Sequence, residues 1–208
     1  MLRDMKIEDF LDRLAGDSPT PGGGSVAALS GASAAGLVSM VCNLTLGKKG
    51  YESVQKSIAQ SLKRSEELRS ELTEMVDLDA EAFSEIMDAY RLPKADEEEK
   101  HIRTEAIQAA VKKGTQVPLK TMELAVEVMQ IALEVADTGN KNVVSDAGVA
   151  ASMAMASVES AGYNVEINLK SCKNPDFKKD AGERFDELKE RAEKLFDATL
   201  DLVEAQLA

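Results

Sequence analysis

The stretch SPTPGGGSVAALSGASAAG, from Ser18 to Gly36, decides how the rest of the chain folds around it. Three consecutive glycines follow two prolines and open a run of small residues. No charged side chain occurs from Ser18 to Gly47, although 30% of the whole chain is charged. Such a run is expected inside a protein or inside a membrane, because both environments exclude unpaired charge.

The membrane alternative is weaker than the protein interior. About 20 apolar residues span a bilayer, and this run has nearly that length. It contains few large aliphatic side chains, however, and five polar residues, which are Ser30, Ser33, Ser39, Asn43 and Thr45. We therefore predict a buried helix over 25–46, with Ser25 as its N-cap.

Composition places the chain among compact globular proteins. Its 208 residues fit one domain, 1–208, and 44% of them are hydrophobic. The formal net charge of −12 opposes binding to nucleic acid. Cys42 and Cys172 show no metal-type spacing, and the N-terminus has acidic residues where a signal peptide needs an apolar run. We expect a cytoplasmic protein with no membrane partner.

Helical spacing of apolar residues extends over most of the chain. The pattern predicts helices over 4–15, 25–46, 52–91, 96–138, 143–161 and 177–207. Pro118 should kink or split the fourth, and Gly139 should occupy the C′ position after it. The segment YNVEINL, 163–169, is open between an extended and a helical conformation. The prediction is an all-α, single-domain helical bundle with two long helices and small-residue core helices, for which homodimerisation is plausible.

The glycine stretch does not fit a nucleotide loop. GGGSVA matches a loose G-x-G-x-x-A pattern, but no strand precedes it, and no Gly-Lys-Ser/Thr follows as a phosphate loop would require. Two alternatives stay open. The stretch is either a backbone platform whose free amides bind an anion or a carbonyl oxygen, or a tight turn before a packed helix.

Four charged or titratable residues are candidates for chemistry. Asp146 is the only charged residue between Lys141 and Glu159, so it is either a helix cap or a general acid/base. Lys48 and Lys49 follow the uncharged helix directly, either as a solvated pair or as a cationic site for a carboxylate. His101 lies among charged residues typical of a solvated helix face, and the chain has no second histidine with which it could form a histidine metal site.

Several motifs together resemble a known family. PTPGGGSVAAL, MVCNLTLGKKGY, DAEAFSEIMDAYRLPK, VPL and GNKNVVSDAGVAA occur in this order. Their order and wording are similar to the cyclodeaminase/cyclohydrolase family of one-carbon folate enzymes, over about residues 7–170. This family includes the C-terminal half of formiminotransferase-cyclodeaminase and stand-alone methenyltetrahydrofolate cyclohydrolases.

The resemblance implies an all-helical homodimeric enzyme that needs no cofactor or metal and holds a folate substrate in a groove. It implies catalytic roles for Asp146 and Lys48, and folate contacts from Pro21, Gly22, Gly23, Gly24, Ser25, Lys49, Tyr51, Asn140, Asn142 and Ser145. The motifs favour methenyltetrahydrofolate cyclohydrolase, with formiminotetrahydrofolate cyclodeaminase as the alternative. A non-catalytic helical dimer that binds folate or acts as a scaffold is a third hypothesis.

Overall fold

A computed structural model describes all 208 residues and contains helices without any strand. Six α-helices follow one another along the chain: α1 Ile7–Ala15, α2 Gly23–Asn43, α3 Gln55–Arg91, α4 Glu97–Thr138, α5 Val144–Ser171 and α6 Pro175–Leu207. Three short 3₁₀ turns lie at Leu2–Asp4, Glu52–Val54 and Lys141–Val143. The predicted all-α bundle is therefore confirmed, with α3 and α4 as its two long helices.

α2 packs against α3, α5 and α4 on one side, and its opposite side is partly uncovered. Its small residues allow this. A Cβ added to Gly31 would lie 2.9 Å from the Ser157 hydroxyl on α5 and 3.0 Å from a Leu72 methyl on α3. Two helices thus approach the same point of α2, and the small side chains predicted for a core helix have a packing reason.

Pairwise contacts give the directions of α3 and α5 relative to α2. The Ser25 hydroxyl lies 3.0 Å from the Val76 carbonyl, and the hydroxyls of Ser39 and Ser65 are 2.8 Å apart, so α3 runs antiparallel to α2. α5 also runs antiparallel, because the first turn of α2 lies beside Asn164 whereas Ser30 donates to the Met153 carbonyl. These directions decide which motifs meet at each end of the bundle.

α2 is apolar enough, by length and composition, to cross a membrane. An 18-residue window within Gly23–Asn43 has a mean hydropathy of 1.6, and 61% of that window is buried in the bundle. Most of this apolar helix is therefore covered by the other helices of the protein.

The predicted start of α2 is wrong. The helix begins at Gly23 with Gly22 at the N-cap, and no side chain caps it. Ser25 is fully buried in the first turn, and its hydroxyl lies against α3. The predicted end is wrong as well, because α2 stops at Asn43 and Thr45 turns back to bond its hydroxyl to the Val41 carbonyl.

Pro118 does not split α4, which is continuous from Glu97 to Thr138. Proline has no N–H, so the carbonyl of Gly114, four residues earlier, has no partner within the helix. The Asn168 side chain on α5 donates to this carbonyl at 2.8 Å. A neighbouring helix therefore supplies the hydrogen bond that the proline removes.

Two smaller expectations are also settled. Gly139 is the C-cap of α4 and not its C′ residue, and its φ of −77° is not the left-handed conformation that a C′ glycine adopts. The segment 163–169 is helical, because α5 continues to Ser171.

Candidate active site

The motifs GKKGY and GNKN meet at one end of the bundle. Asn140 is buried, its backbone amide donates to the Thr45 hydroxyl at 2.9 Å, and its side chain donates to the Leu44 carbonyl at 2.9 Å. The Lys141 amide donates to the Tyr51 hydroxyl at 3.1 Å. We call the residues Leu44–Tyr51, Asn140–Val143 and Asp146 the lysine end.

Two glycines shape the loop of the lysine end. Gly47 has a φ of 70° and Gly50 a φ of 92°, a left-handed conformation that favours glycine. Gln55, which the sequence analysis missed, holds this loop from the start of α3. It accepts a hydrogen bond from the Gly47 amide at 2.7 Å and donates to the carbonyls of Thr45 and Tyr51 at 3.2 and 2.9 Å.

The two lysines of the lysine end have free side chains, whereas the side chains of Tyr51 and Asn140 are hydrogen-bonded. Lys48 is half-buried and Lys49 is exposed, and neither takes part in an ion pair or a side-chain hydrogen bond of the structure. Asp146 is half-buried in the first turn of α5, where the positive end of the helix dipole favours a carboxylate. Neither Asp146 nor Ser145 is an N-cap, since Val143 occupies that position. Asn142, which is exposed, donates its amide to the Asn140 side chain.

The remaining predicted residues lie at the opposite end of α2. Pro21, Gly24 and Ser25 are buried, whereas Gly23 is exposed and lies beside Asn164 of α5. A cis peptide bond joins Thr20 to Pro21. We call the residues Pro21–Ser25, together with Asp79 and Asn164, the glycine end.

Asp79 of α3 is a functional candidate that the sequence analysis missed. Its carboxylate lies 3.0 Å from the Ser25 hydroxyl and occupies the space that a side chain at Gly24 would need. Burial raises the pKa of the Asp79 carboxyl above its ordinary value, and hydrogen bonds from Ser25 partly offset the increase. The signal in the sequence was weak, because Asp79 is one acid among many on a long charged helix.

His101 is exposed on α4, and its ring lies 3.6 Å from Glu105. It belongs to neither end defined above, and its side chain is exposed, as expected for a residue on a solvated face. No group of three or more His, Cys, Asp or Glu side chains is arranged to share a metal ion.

The glycine end and the lysine end together hold the predicted site residues except Ser145, which is exposed beside Asp146. A profile of the Formiminotransferase-cyclodeaminase family matches residues 6–187. The chain belongs to this family. The resemblance inferred from the motifs is thereby confirmed.

Two relatives carry different names within this formiminotransferase-cyclodeaminase family. The chain is 51% identical over 182 residues to methenyltetrahydrofolate cyclohydrolase of Methylorubrum extorquens, covering 88% of this chain and 86% of that protein. It is 33% identical over 205 residues to formimidoyltransferase-cyclodeaminase of Rattus norvegicus, covering 99% of this chain but 38% of the rat protein.

A solved member of the formiminotransferase-cyclodeaminase family has the same fold. The crystal structure of formiminotetrahydrofolate cyclodeaminase from Thermotoga maritima superposes with a TM-score of 0.91 over the full length of both chains, at 31% identity. The arrangement of helices described above is therefore the family fold, and the relatives bearing these names are enzymes.

Proposed function

We propose that the chain is a methenyltetrahydrofolate cyclohydrolase, which adds water to 5,10-methenyltetrahydrofolate and yields 10-formyltetrahydrofolate. The observation that carries this proposal is the 51% identity to a cyclohydrolase that this chain matches over 86% of its length. Identity to the cyclodeaminases is 33% and 31%. The higher identity favours hydrolysis over ammonia release.

The chemistry matches the charges at the lysine end. Methenyltetrahydrofolate carries a cationic amidinium, which the half-buried carboxylate of Asp146 would stabilise while it orients the attacking water. Lys48 would bind the glutamate tail or transfer a proton, while Lys49, Tyr51, Asn140, Asn142 and Ser145 would surround the ligand. These roles need no cofactor or metal, and we place the enzyme in the cytoplasm without nucleic-acid or membrane partners.

The glycine end and the lysine end of one chain lie too far apart to form one site. α2 has 21 residues between the glycine end and the lysine end. At 1.5 Å per residue this separates the two ends by about 30 Å. A single folate cannot place its reacting carbon against both groups of one chain, so we propose a homodimer in which each copy supplies one end.

The outer face of α2 supports this dimer. Residues Val26, Leu29, Ser33, Leu37 and Met40 lie at helical spacing on the side of α2 that the bundle leaves partly uncovered. The core requires an uncharged inner face only, and a helix without charge on any side is normally buried all round. In a chain of net charge −12, a charge-free outer face fits a second copy of the same surface.

Two copies of α2 packed antiparallel about a twofold axis would join the ends. The glycine end of one copy then faces the lysine end of its partner, and the symmetry produces two identical composite sites. Such a dimer explains why a single helix carries site motifs at both of its termini.

The activity is tested by offering both folate substrates to the purified protein. We expect the absorbance of methenyltetrahydrofolate to disappear faster than in buffer, with no ammonia released from formiminotetrahydrofolate. Ammonia release without hydrolysis would identify a cyclodeaminase instead. Loss of neither substrate would overturn the enzymatic proposal and favour a non-catalytic folate-binding dimer.

The composite site is tested separately, by mixing two inactive variants. Gly23→Phe blocks the glycine end and has room to fold, because the atom nearest to an added Cβ is an Asn164 nitrogen at 3.7 Å. Lys48→Ala disables the lysine end. Co-expressed chains should recover about a quarter of the wild-type activity, since half of the dimers are mixed and each mixed dimer has one intact site. Mixtures as inactive as either variant alone would show that both ends act within one chain.

A further inference from the structure

Asp79 is a half-buried carboxylate without a cationic partner. It lies on α3 against the first turn of α2, where Ser25 is fully buried and its hydroxyl lies 3.0 Å from both the Asp79 carboxylate and the Val76 carbonyl. One hydroxyl has one proton and can donate to only one of these acceptors at a time. Asp79 therefore shares the Ser25 hydroxyl with a backbone carbonyl.

No lysine, arginine or histidine compensates the charge of Asp79. The ion pairs of the structure all involve other carboxylates. A desolvated carboxylate without a counter-charge is expensive, so proteins keep such groups mainly where chemistry needs them. The chain also gives up a side chain at Gly24 to make room for the carboxylate.

An apolar strip continues from Asp79 along the same face of α3. Phe83, Met87 and Tyr90 follow at helical spacing, and 37%, 37% and 43% of their respective surfaces are exposed. A planar aromatic ligand could pack on this strip with its reactive edge toward Asp79. The strip and the carboxylate therefore form one surface beside the exposed Gly23.

We propose that Asp79 is a catalytic residue that carries a proton from the attacking water to N5 of the substrate. This assignment rests on the proposed cyclohydrolase function and adds a second carboxyl to the one supplied by Asp146. Asp146 remains the group that stabilises the cation.

The proton balance is complete with Asp79 as carrier. As the water oxygen bonds to the bridging carbon, one water proton passes to the Asp79 carboxylate and the amidinium becomes a neutral hydroxyl adduct. The bond from this carbon to N5 then breaks with its electron pair on N5, which takes the proton back from Asp79. The hydroxyl proton leaves to solvent as the formyl C=O forms, so the cation and water give 10-formyltetrahydrofolate and one proton.

The environment of Asp79 suits a carrier that must hold a proton transiently. Burial raises the pKa of its carboxyl toward the working range, so the protonated form costs less than for an exposed aspartate. α2 presents no titratable group to it, because residues 18–47 are uncharged, and Asn164 on α5 is neutral. On α3 the carboxylates nearest in sequence are Asp77 and Glu81, each two positions away. Glu81 is exposed, whereas Asp77 accepts a hydrogen bond from the Leu2 amide at 2.6 Å and lies 3.3 Å from the Arg3 guanidinium.

The first test replaces Asp79 by asparagine, which has a similar shape but no carboxylate that could accept and return a proton. We expect kcat for methenyltetrahydrofolate to fall at least about 100-fold, with KM changed far less. Asp77→Asn is the matched control, two residues away on the same helix. Asp77→Asn should lower the stability, because it weakens the contacts of Asp77 to Leu2 and Arg3. Its kcat should stay within about twofold of the wild type, because no proton-transfer step depends on Asp77.

The second test separates proton transfer from helix anchoring. Ser25 lowers the pKa of Asp79, so Ser25→Ala should move the acid limb of the kcat/KM profile to higher pH. If the contact between Ser25 and Asp79 were only structural, Ser25→Ala would lower the free energy of unfolding and leave the acid limb of the kcat/KM profile unmoved.

Each outcome decides the proposal. A wild-type protein without cyclohydrolase activity would overturn the proposed function itself. An active wild type with full turnover in Asp79→Asn would overturn the role of Asp79 alone. Should Asp79→Asn fail to fold, an unmoved acid limb in Ser25→Ala would still contradict the assignment.

Discussion

At the scale of single residues, Gly24 is constrained by the Asp79 carboxylate and not by its own backbone angles. A Cβ at this position would overlap the carboxyl group, which is itself held by Ser25. The neighbouring glycines have no such contact, since the nearest atom to an added Cβ is 3.5 Å away at Gly22 and 3.7 Å away at Gly23. Three glycines that look equivalent in the sequence therefore have different reasons to be present.

This constraint predicts the effect of Gly24→Ala. The substitution should lower the free energy of unfolding by about 1–3 kcal/mol, because Asp79 or α2 must shift to admit the methyl group. Urea denaturation followed by circular dichroism measures the change. Gly182→Ala in α6 is the control, with no atom within 4 Å of its added Cβ. Gly182→Ala should raise the free energy of unfolding by about 0.5–1 kcal/mol through helix propensity. A similar increase for Gly24→Ala would contradict the overlap between the added methyl group and the Asp79 carboxylate.

The sequence predicted the glycine end as a possible ligand platform but assigned Ser25 the wrong role. Serine and glycine are both good N-cap residues, so local preference does not decide which of the small residues begins the helix. The contact that decides it comes from Asp79, 54 positions further along the chain. Neither helical periodicity nor a local motif contains information on such a pair.

At the scale of helices, Pro118 and Asn168 form a unit that joins α4 to α5. The Asn168 side chain donates to the Gly114 carbonyl that Pro118 leaves without a helical partner. The sequence marked Pro118 as a break because the rule considers one helix alone. The six helices themselves were predictable from the spacing of apolar residues, with ends that differ by a few positions except in α5, which ends at Ser171 and not at the predicted 161.

The unit predicts a coupling between the two residues. Asn168→Ala should cost about 1–3 kcal/mol of unfolding free energy, because it leaves the Gly114 carbonyl without a donor. Adding Pro118→Ala restores a backbone N–H at position 118 and should recover much of that loss. A double-mutant cycle in urea gives the coupling energy, and equal costs of Asn168→Ala in both backgrounds would disprove it.

At the scale of the whole molecule, the proposed homodimer has a defined orientation. Antiparallel copies of α2 that match position 23 with position 43 place the twofold axis near Ser33, the middle of the helix. Ser33 is exposed and small, so the two helices can come close there. In the proposed dimer, each Ser33 would therefore lie next to its equivalent.

Ser33→Cys should consequently form a disulfide-linked dimer under mild oxidation, because close packing of small residues brings the two Cα atoms within the usual range for a disulfide. Non-reducing gel electrophoresis reports the product. The wild type should remain unlinked, since Cys42 and Cys172 are both buried. Asp186→Cys, exposed on α6, is the control at a site away from α2. Equal linkage at positions 33 and 186 would indicate random collision and no α2 interface.

The packing of α2 against a later part of the chain also has a consequence for biosynthesis. Helix α2 ends at Asn43, but α5, which covers one of its sides, ends at Ser171, 128 residues later (171 − 43). At translation rates of about 5–20 residues per second, this delay lasts roughly 6–26 s. During that interval the most hydrophobic helix of the chain has been synthesised without the helix that shields it. Chaperone demand should therefore depend on how fast the second half of the chain is translated, and slow codons between α3 and α5 should lower the soluble yield.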